Sequence, residues 1–246
     1  MQESIAGVEA GEIRSRIHST IHYNQPPGGW NGFTTLSDFY AKFEATDKRR
    51  GVAYPANDAT HPNPGNRVNV GLLVGQQYNL ATDAPLKDRS GNGPLSYTSD
   101  IHLIETGSNL EVTGIRIYKY PVDWVNDGSG NVGNDFVYFR LADVMLMKAE
   151  ALMRTNAAAT ALPIVNAIRT NRGATPLASL TLDNLLDERG RELYMEGWRR
   201  EDLIRFGKFL GPKPLKPNAS DPKFLLFPIP NQQLAANPNL VQNPGY

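Results

Sequence analysis

Cysteine is absent from this chain of 246 residues. This excludes disulfide bonds, thiolate chemistry and thiolate metal ligands, and it leaves the redox compartment of the protein open. Long apolar runs are absent too, because none approaches the roughly 18–20 residues that a membrane-spanning helix requires. Residues 1–13 have neither the basic start nor the apolar centre of a signal peptide, so we expect no signal peptide in this stretch.

A net charge is also lacking, since 25 lysines and arginines offset 25 aspartates and glutamates. Balanced charge gives no reason to expect a nucleic-acid partner or an anionic membrane surface. The length is sufficient for a sizeable core in one domain, or in part of one. Most of the 22 glycines and 18 prolines fall outside residues 139–207, which predicts long loops around one helical block.

Residues 139–207 are the only part of the chain with sustained helical periodicity. The pattern predicts two helices separated by a turn at 154–156. A third helix is predicted from an N-cap at Thr181 to Gly197, and a short fourth one follows at 199–206.

The first two predicted helices span residues 139–172, and these 34 residues equal the period of a tetratricopeptide repeat. Ala149 and Ala161 are small residues placed where the helices of such a hairpin come closest. Pro163 fits only in the first turn of a helix, so the second helix is expected to begin near Thr160. We predict a mainly α-helical fold of tetratricopeptide-like hairpins, with long loop-rich segments and a few short strands.

Charged side chains crowd the segment from 187 to 205. Glu188 and Glu192 could be read as a catalytic acid and base. Each of them, however, has basic neighbours three or four positions away, which keep a carboxylate ionised. We therefore predict an ion-pair network and no catalytic residues.

Residues 12–23 alternate between apolar and polar side chains, and this period of two predicts a half-buried strand. On such a strand His18 and His22 would lie roughly 13 Å apart, too far to share a metal ion. We therefore predict no metal site at these histidines.

Shorter stretches carry weaker signals. Residues 36–43 have the spacing of a short amphipathic helix, and the charge cluster at 47–50 is interpreted as a solvated helix end. Short strands are predicted at 68–74 and 112–120. The apolar run at 224–230 contains two prolines, which predicts an extended strap docked on the helices.

The segment at 128–133 matches the GxGxxG pattern of dinucleotide-binding folds. That motif requires a buried strand before it and a helix directly after it, and the flanking residues fit neither. A calcium loop through Asp123 and Asp127 is the other reading, but Val125 and Asn134 occupy positions that require oxygen ligands, the last of them a bidentate Glu. We predict an ordinary loop and no cofactor.

Four motifs, in this order and spacing, resemble the C-terminal half of SusD/RagB-like proteins. They are FRLADVMLMKAEAL at 139–152, ALPIVNAIRTNRG at 161–173, LLDERGRELYMEGWRREDLIRFG at 185–207 and FPIPNQQLAANPNLVQNPGY at 227–246. The match is strong over 112–246, and residues 22–43 also look like the middle region of some members. Because such proteins are about twice as long, the resemblance implies a chain that is part of a longer protein.

The resemblance implies one SusD/RagB-like domain with three regions. These are a loop-rich ligand-presenting region (1–135), tetratricopeptide-like helices (136–210) and a C-terminal strap (211–246). The charged motif residues between 140 and 205 then stabilise the framework and do not contact the ligand. Trp198, which lies within this charged segment of the sequence, is expected in the core.

The implied function is a non-enzymatic glycan-binding subunit on the outer-membrane surface of a Bacteroidota-type bacterium. It would capture oligosaccharides or polysaccharides for a SusC-like TonB-dependent transporter, and it would meet the membrane only through a lipid anchor that this sequence lacks. The alternative is a helical-repeat scaffold that binds the transporter or a peptide without binding sugar itself.

Sugar rings stack on aromatic side chains, and their hydroxyls need fixed polar partners, which loops on a rigid scaffold usually present. The loop with Trp30, flanked by Tyr23, Asn24 and Asn31, contains both components and is our predicted ligand-binding site. Trp124 is the second candidate, with Asp123 and Asn126 beside it in the sequence.

Overall fold

Helices dominate the second half of the protein. The computed structural model describes residues 15–16, 18–53, 69–79, 84–107, 110–120, 123 and 137–246. The helices are α1 (Ser37–Tyr40), α2 (Leu141–Arg154), α3 (Ala158–Asn171), α4 (Leu182–Leu193), α5 (Arg199–Arg205) and α6 (Asn231–Ala236). Within these described ranges, no helix is both long and apolar enough to cross a bilayer. The predicted mainly helical class is confirmed.

Helices α2 and α3 pack against each other as a hairpin. Ala149 and Ala161 are both fully buried in the cluster that joins them, as the small-residue spacing predicts. Helix α3 begins at Ala158, two positions before the predicted start at Thr160. Pro163 therefore lies beyond the first turn, where it removes one backbone donor but does not end the helix.

Helix α4 begins where the sequence predicts. Thr181 is its N-cap, and its side chain forms a capping box with Asn184, which satisfies two backbone donors at the helix start. The helix ends at Leu193, four residues before the predicted Gly197, because Tyr194 is not helical (ψ 144°).

In the described part of the chain, short strands form two small antiparallel sheets. One has the order β1–β2–β5, with β1 (Gly51–Ala53), β2 (Asn69–Leu73) and β5 (Arg116–Tyr118); the other pairs β3 (Gly75–Gln76) with β4 (Ser96–Tyr97). Leu72 pairs with Ile117 in the β2–β5 register. The strands predicted near 68–74 and 112–120 are therefore confirmed, at shorter length.

Among the described residues, three buried clusters make up the core. The first lies among α2, α3 and α4 and includes Leu146, Val165 and Leu185. Successive residues of β2 point to opposite faces of the sheet, so Leu72 joins a second cluster with Phe43 and Tyr194, whereas Leu73 joins a third with Ile21, Leu95 and Tyr97. The sheet therefore links the helical block to the loop-rich region.

The strand predicted at 12–23 is wrong in its described part. Residues 15, 16 and 18 are helical, and a turn follows them. Burial also departs from the prediction, since His18 and His22 are buried and Tyr23 is 44% exposed, although Ile21 is buried as expected. Hydrogen bonds to buried polar groups, rather than alternation, decide which of these side chains lie inside.

Three further expectations need correction. The cluster at 47–50 is not a solvated helix end, because Asp47 and Arg49 are both buried. Trp198 is only partly buried, with its ring 5.6 Å from that of the exposed Phe139. The tail is not simply extended, since it contains a 3-10 helix (Pro222–Leu225) and α6.

Candidate functional site

A buried network of ion pairs connects α4 to α3, to the start of α2 and to the segment before β1; we call it the ion-pair network. Its cations are Arg49, Lys119, Arg140, Arg169, Arg172 and Arg191, and its carboxylates are Glu44, Asp47, Glu188, Glu192 and Glu196. Arg49 lies between two of the carboxylates, with its Nη1 2.7 Å from Glu188 Oε1 and 2.9 Å from Glu192 Oε2.

Glu188 and Glu192 remain ionised. Burial alone would raise the pKa of Glu192, but hydrogen bonds from Arg172 and Arg140 outweigh it and hold that pKa at about 2. The pKa of Glu188 is lowered in the same way, against its burial, by Arg49 and Arg191. A general acid at neutral pH needs the opposite shift. The predicted ion-pair network is confirmed.

A second set of buried ion pairs holds α2, α4 and α5 together. Arg189 on α4 lies 3.1 Å from Asp143 on α2 and 2.8 Å from Asp202 on α5. Arg205 Nε on α5 lies 2.8 Å from Glu150 Oε1 on α2. The dense charges of the helical block therefore contact one another and serve as framework.

The loop at 18–33 is pinned by backbone hydrogen bonds. Gly29 N–H donates to His22 O at 3.0 Å, and Asn31 N–H donates to Ile21 O at 2.9 Å. The close approach requires glycine, because a Cβ on Gly29 would lie 1.9 Å from Ile21 O. This loop carries four of the predicted ligand-binding residues on a fixed backbone.

Trp30 presents its side chain to solvent and is 54% exposed. Its ring lies 6.0 Å from the ring of His18, which is buried and contacts Gly28 O through Nδ1. An exposed indole on a buried support suits the apolar face of a ligand ring.

Tyr23 and Asn24 lie at the other end of the loop, against residues 87–89. The guanidinium of Arg89 lies 5.1 Å above the Tyr23 ring, on one of its faces. Asn24 Nδ2 donates to Lys87 O and to Asp88 O, both at 3.0 Å. Both side chains therefore contact the start of the turn at 88–93.

Asn31 supports the loop. It has a left-handed backbone (φ 53°), its Nδ2 donates to Glu111 O at 2.9 Å, and its Oδ1 accepts from Arg116 Nη2 at 2.7 Å. Arg116 is buried and also donates to Glu111 O and Thr113 O. The amide predicted to bind a sugar is thus largely occupied by framework contacts.

Glu111 joins the two ends of the site. Its Oε1 accepts from Arg89 N–H at 2.6 Å and lies 3.3 Å from His22 Nε2. His22 Nδ1 accepts from Asn24 N–H at 3.0 Å, so the neutral ring carries its proton on Nε2, facing Glu111. Burial lowers the pKa of His22 even though Glu111 opposes the shift.

An open cleft of about 760 Å³ adjoins Asn24 and Glu111. It is lined by Asp88, Arg89, Ser90, Asn92, Gly93, Leu110 and Glu111. The turn at 88–93 is fixed by Asp88, which accepts from Ser90 Oγ at 2.7 Å and from Gly93 N–H at 3.1 Å. Sequence reasoning missed these lining residues, because contacts over more than 60 positions leave no local pattern.

Trp124 and Asn126 lie outside the described residues, as does the GxGxxG segment at 128–133, and Asp123 alone of that loop is described. The second glycan-binding candidate therefore stays a prediction. In the part of the chain that the structure describes, no group of three or more His, Asp or Glu side chains is arranged to hold a metal ion.

Two curated relatives match parts of the chain. Starch-binding protein SusD from Bacteroides thetaiotaomicron is 37% identical over 121 residues, which is 46% of this chain and 22% of the relative. SusD-like protein P38 from Formosa agariphila is 32% identical over 148 residues, which is 54% of this chain and 28% of the relative. The matched segments thus cover less than a third of the length of these relatives.

Solved structures match the fold over most of this chain. A SusD superfamily protein from Parabacteroides distasonis covers 94% of it, with 46% of that protein included, a TM-score of 0.61 and 23% identity. A surface glycan-binding protein A from Bacteroides thetaiotaomicron, in complex with laminarihexaose, covers 93%, with 46% of that protein, a TM-score of 0.59 and 22% identity. The model of the SusD family matches residues 2–213, and the chain belongs to this family.

Proposed function

We propose that this chain is the glycan-binding part of a non-catalytic cell-surface protein that captures oligosaccharides. The observation that carries the proposal is the pair of exposed aromatic side chains, Trp30 and Tyr23, on the pinned loop at 18–33. The names of two relatives support it, since one is called starch-binding and another was solved with laminarihexaose.

In this proposal, Trp30 stacks on the apolar face of a sugar ring. Tyr23 and Asn24 contact a neighbouring unit at the cleft of 88–93, where carboxylate, guanidinium and amide groups can bind hydroxyls. Asn31 acts by holding the loop. Trp124 remains a second contact, proposed from its sequence neighbours alone.

The captured glycan is then passed to a SusC-like TonB-dependent transporter at the outer membrane. Family membership supports this step, and the site residues do not bear on it. Co-purification of the transporter with the native protein tests it, and absence of the transporter from the purified complex would contradict it.

A protein-binding scaffold is the second candidate function. It is favoured by an apolar stripe on α2, where Leu141 is 75% exposed, Val144 50% and Met147 41%. Residues at this spacing share one face of a helix. This stripe could contact the transporter or another segment, whether or not the loop binds sugar.

Affinity electrophoresis of the chain against a panel of neutral and charged polysaccharides separates the two functions. Retarded migration in at least one gel is the result that glycan binding predicts. Unretarded migration in every gel, by protein with an intact thermal transition, would contradict glycan binding. The protein-binding scaffold would then be the remaining candidate function.

A further inference from the structure

A cationic pocket lies on the helical side of the molecule, apart from the loop at 18–33. It encloses about 390 Å³ between the edge of the β1–β2–β5 sheet and helix α4. Its charged lining consists of Lys48, Arg49, Lys119, Arg140, Arg172 and Glu192, five cations and one carboxylate.

The positive charges at this pocket outnumber the carboxylates that pair with them. The ion-pair network has six cations and five carboxylates, and Lys48 adds a seventh positive charge at the pocket rim. The pocket is therefore short of negative charge.

Two of the cations have hydrogen-bonding capacity to spare. Lys48 is exposed, and its ammonium has no partner among the described residues. Arg172 is 35% exposed at its side chain and uses only Nε and Nη2 on Glu192. By contrast, Lys119 already donates to Glu192 O, Tyr194 O and Glu196 Oε1, so it contributes charge rather than a free donor.

The uncharged lining consists of three tyrosines together with Val70 and Gly71. Tyr118, Tyr120 and Tyr194 border the same pocket, and the Lys119 ammonium lies 4.2 Å from the centre of the Tyr194 ring. Tyr118 and Tyr194 are buried, and the Tyr194 hydroxyl donates to Arg49 O, whereas Tyr120 is only half-buried. The Tyr120 side chain beside guanidinium groups suits a sugar ring that bears a negative charge, because the ring can contact the aromatic face and the charged group can contact the cations.

We propose that this pocket binds an anionic saccharide unit, one that carries a carboxylate or a sulfate ester. The inference rests on the proposed glycan binding and specifies its substrate class. Lys48 and Arg172 contact the charged group, and Tyr120 contacts the ring. The loop at 18–33 would then bind other sugar units, either of the same glycan or of a second glycan molecule.

Isothermal titration tests this at one fixed ionic strength, since salt screens exposed charges. The ligands are an oligogalacturonide, a sulfated galactose oligosaccharide and a neutral oligosaccharide of equal length. The variants are Lys48→Ala and Arg172→Gln, and Lys148→Ala, an exposed lysine on α2, is the matched control.

We expect at least one charged ligand to bind more tightly than the neutral one. Loss of one charge-assisted contact in Lys48→Ala should weaken that ligand roughly ten-fold, with the neutral ligand and Lys148→Ala unchanged. The preferred ligand, uronate or sulfate, identifies the charged group. Arg172→Gln also loses an ion pair, so its melting temperature is measured. If that variant unfolds, the test rests on Lys48, whose ammonium has no partner in the part of the chain that the structure describes.

Two results would overturn the proposal in distinguishable ways. Equal affinity for charged and neutral ligands, unaffected by Lys48→Ala, would refute the anionic site and leave glycan binding intact. Failure of every oligosaccharide to bind the folded chain would refute the proposed function and the inference with it.

Discussion

Glu192 illustrates, at the scale of a single residue, how the helical block is held together. Its side chain is 1% exposed and contacts Arg49, Arg140 and Arg172. Removing a carboxylate from water costs several kcal/mol, and only well-placed partners repay that cost. Its pKa of about 2 indicates that the partners do so here.

We predict that Glu192→Gln lowers the free energy of unfolding by about 3–5 kcal/mol, because it removes the buried negative charge that the guanidinium groups of Arg49, Arg140 and Arg172 share. Urea unfolding measures this. The control is Glu201→Gln, since Glu201 is 59% exposed in its pair with Arg200 and should matter by less than about 1 kcal/mol. Equal effects of the two substitutions would contradict the role given to the network.

The contribution of Glu192 to the stability of the folded protein should also depend on pH. Its folded pKa of about 2 lies below the ordinary value of 4.5, so the stabilisation is complete above pH 4.5 and is lost as the pH falls towards 2. Between pH 4.5 and 2, the free energy of unfolding should therefore fall less steeply in Glu192→Gln than in the parent protein. Urea unfolding at a series of pH values measures this.

His22 gives a separate pH dependence near neutrality. Its lowered pKa means that the unfolded chain takes up a proton below about pH 6.5 while the folded chain does not, so stability falls as the pH drops. Burial and Arg116 favour the neutral ring, whereas Glu111 and Asp88 oppose them.

The variant His22→Asn tests this, because its amide oxygen can replace Nδ1 as acceptor for Asn24 N–H but cannot titrate. We expect melting temperatures from pH 7.5 to 5.5 to fall less steeply in the variant than in the parent protein. Parallel curves would show that His22 is not the titrating group.

At the scale of elements, local patterns predicted the helices and failed for the loop. The helical periodicity of 139–207 and the Thr181 cap are local, so α2 to α5 appear where expected. The alternation at 12–23 suggested a strand, but partners such as Tyr97 and Glu111, far along the chain, decide burial there.

The same limit explains what could be predicted of the candidate site. Trp30 and Tyr23 stand out because they are aromatic residues among turn formers, and both prove exposed. The framework role of Asn31 could not be foreseen, because it depends on Arg116, 85 positions away, which β5 brings beneath the loop.

The loop itself should tolerate no side chain at Gly29. We predict that Gly29→Ala reduces both the melting temperature and glycan affinity, because its Cβ would lie 1.9 Å from Ile21 O and displace Trp30. Thermal unfolding and titration measure the two effects. Gly211→Ala is the control, since its Cβ would meet only an ordinary contact at 3.8 Å. Unchanged glycan affinity in Gly29→Ala would show that glycan binding does not depend on the conformation of this loop.

For the whole molecule, charge density and binding fall in different places. Ion pairs fill the interior between α2, α4 and α5, and the exposed aromatics lie on a loop above the small sheet that the helices support. The helical block carries the resemblance to the SusD family, whereas ligand recognition is assigned to the loops. The cationic pocket is the exception, because there the network itself reaches a surface.

The most direct test of this division is the glycan affinity of Trp30→Ala, measured by titration beside its melting temperature. Burial of an aromatic side chain against a ligand contributes about 1.5–3 kcal/mol, so we predict affinity at least about ten-fold lower. The melting temperature should not change, because Trp30 is 54% exposed. Tyr138→Ala, which removes another exposed aromatic, should leave both quantities unchanged. Parental affinity in Trp30→Ala would contradict the assignment of sugar binding to this loop.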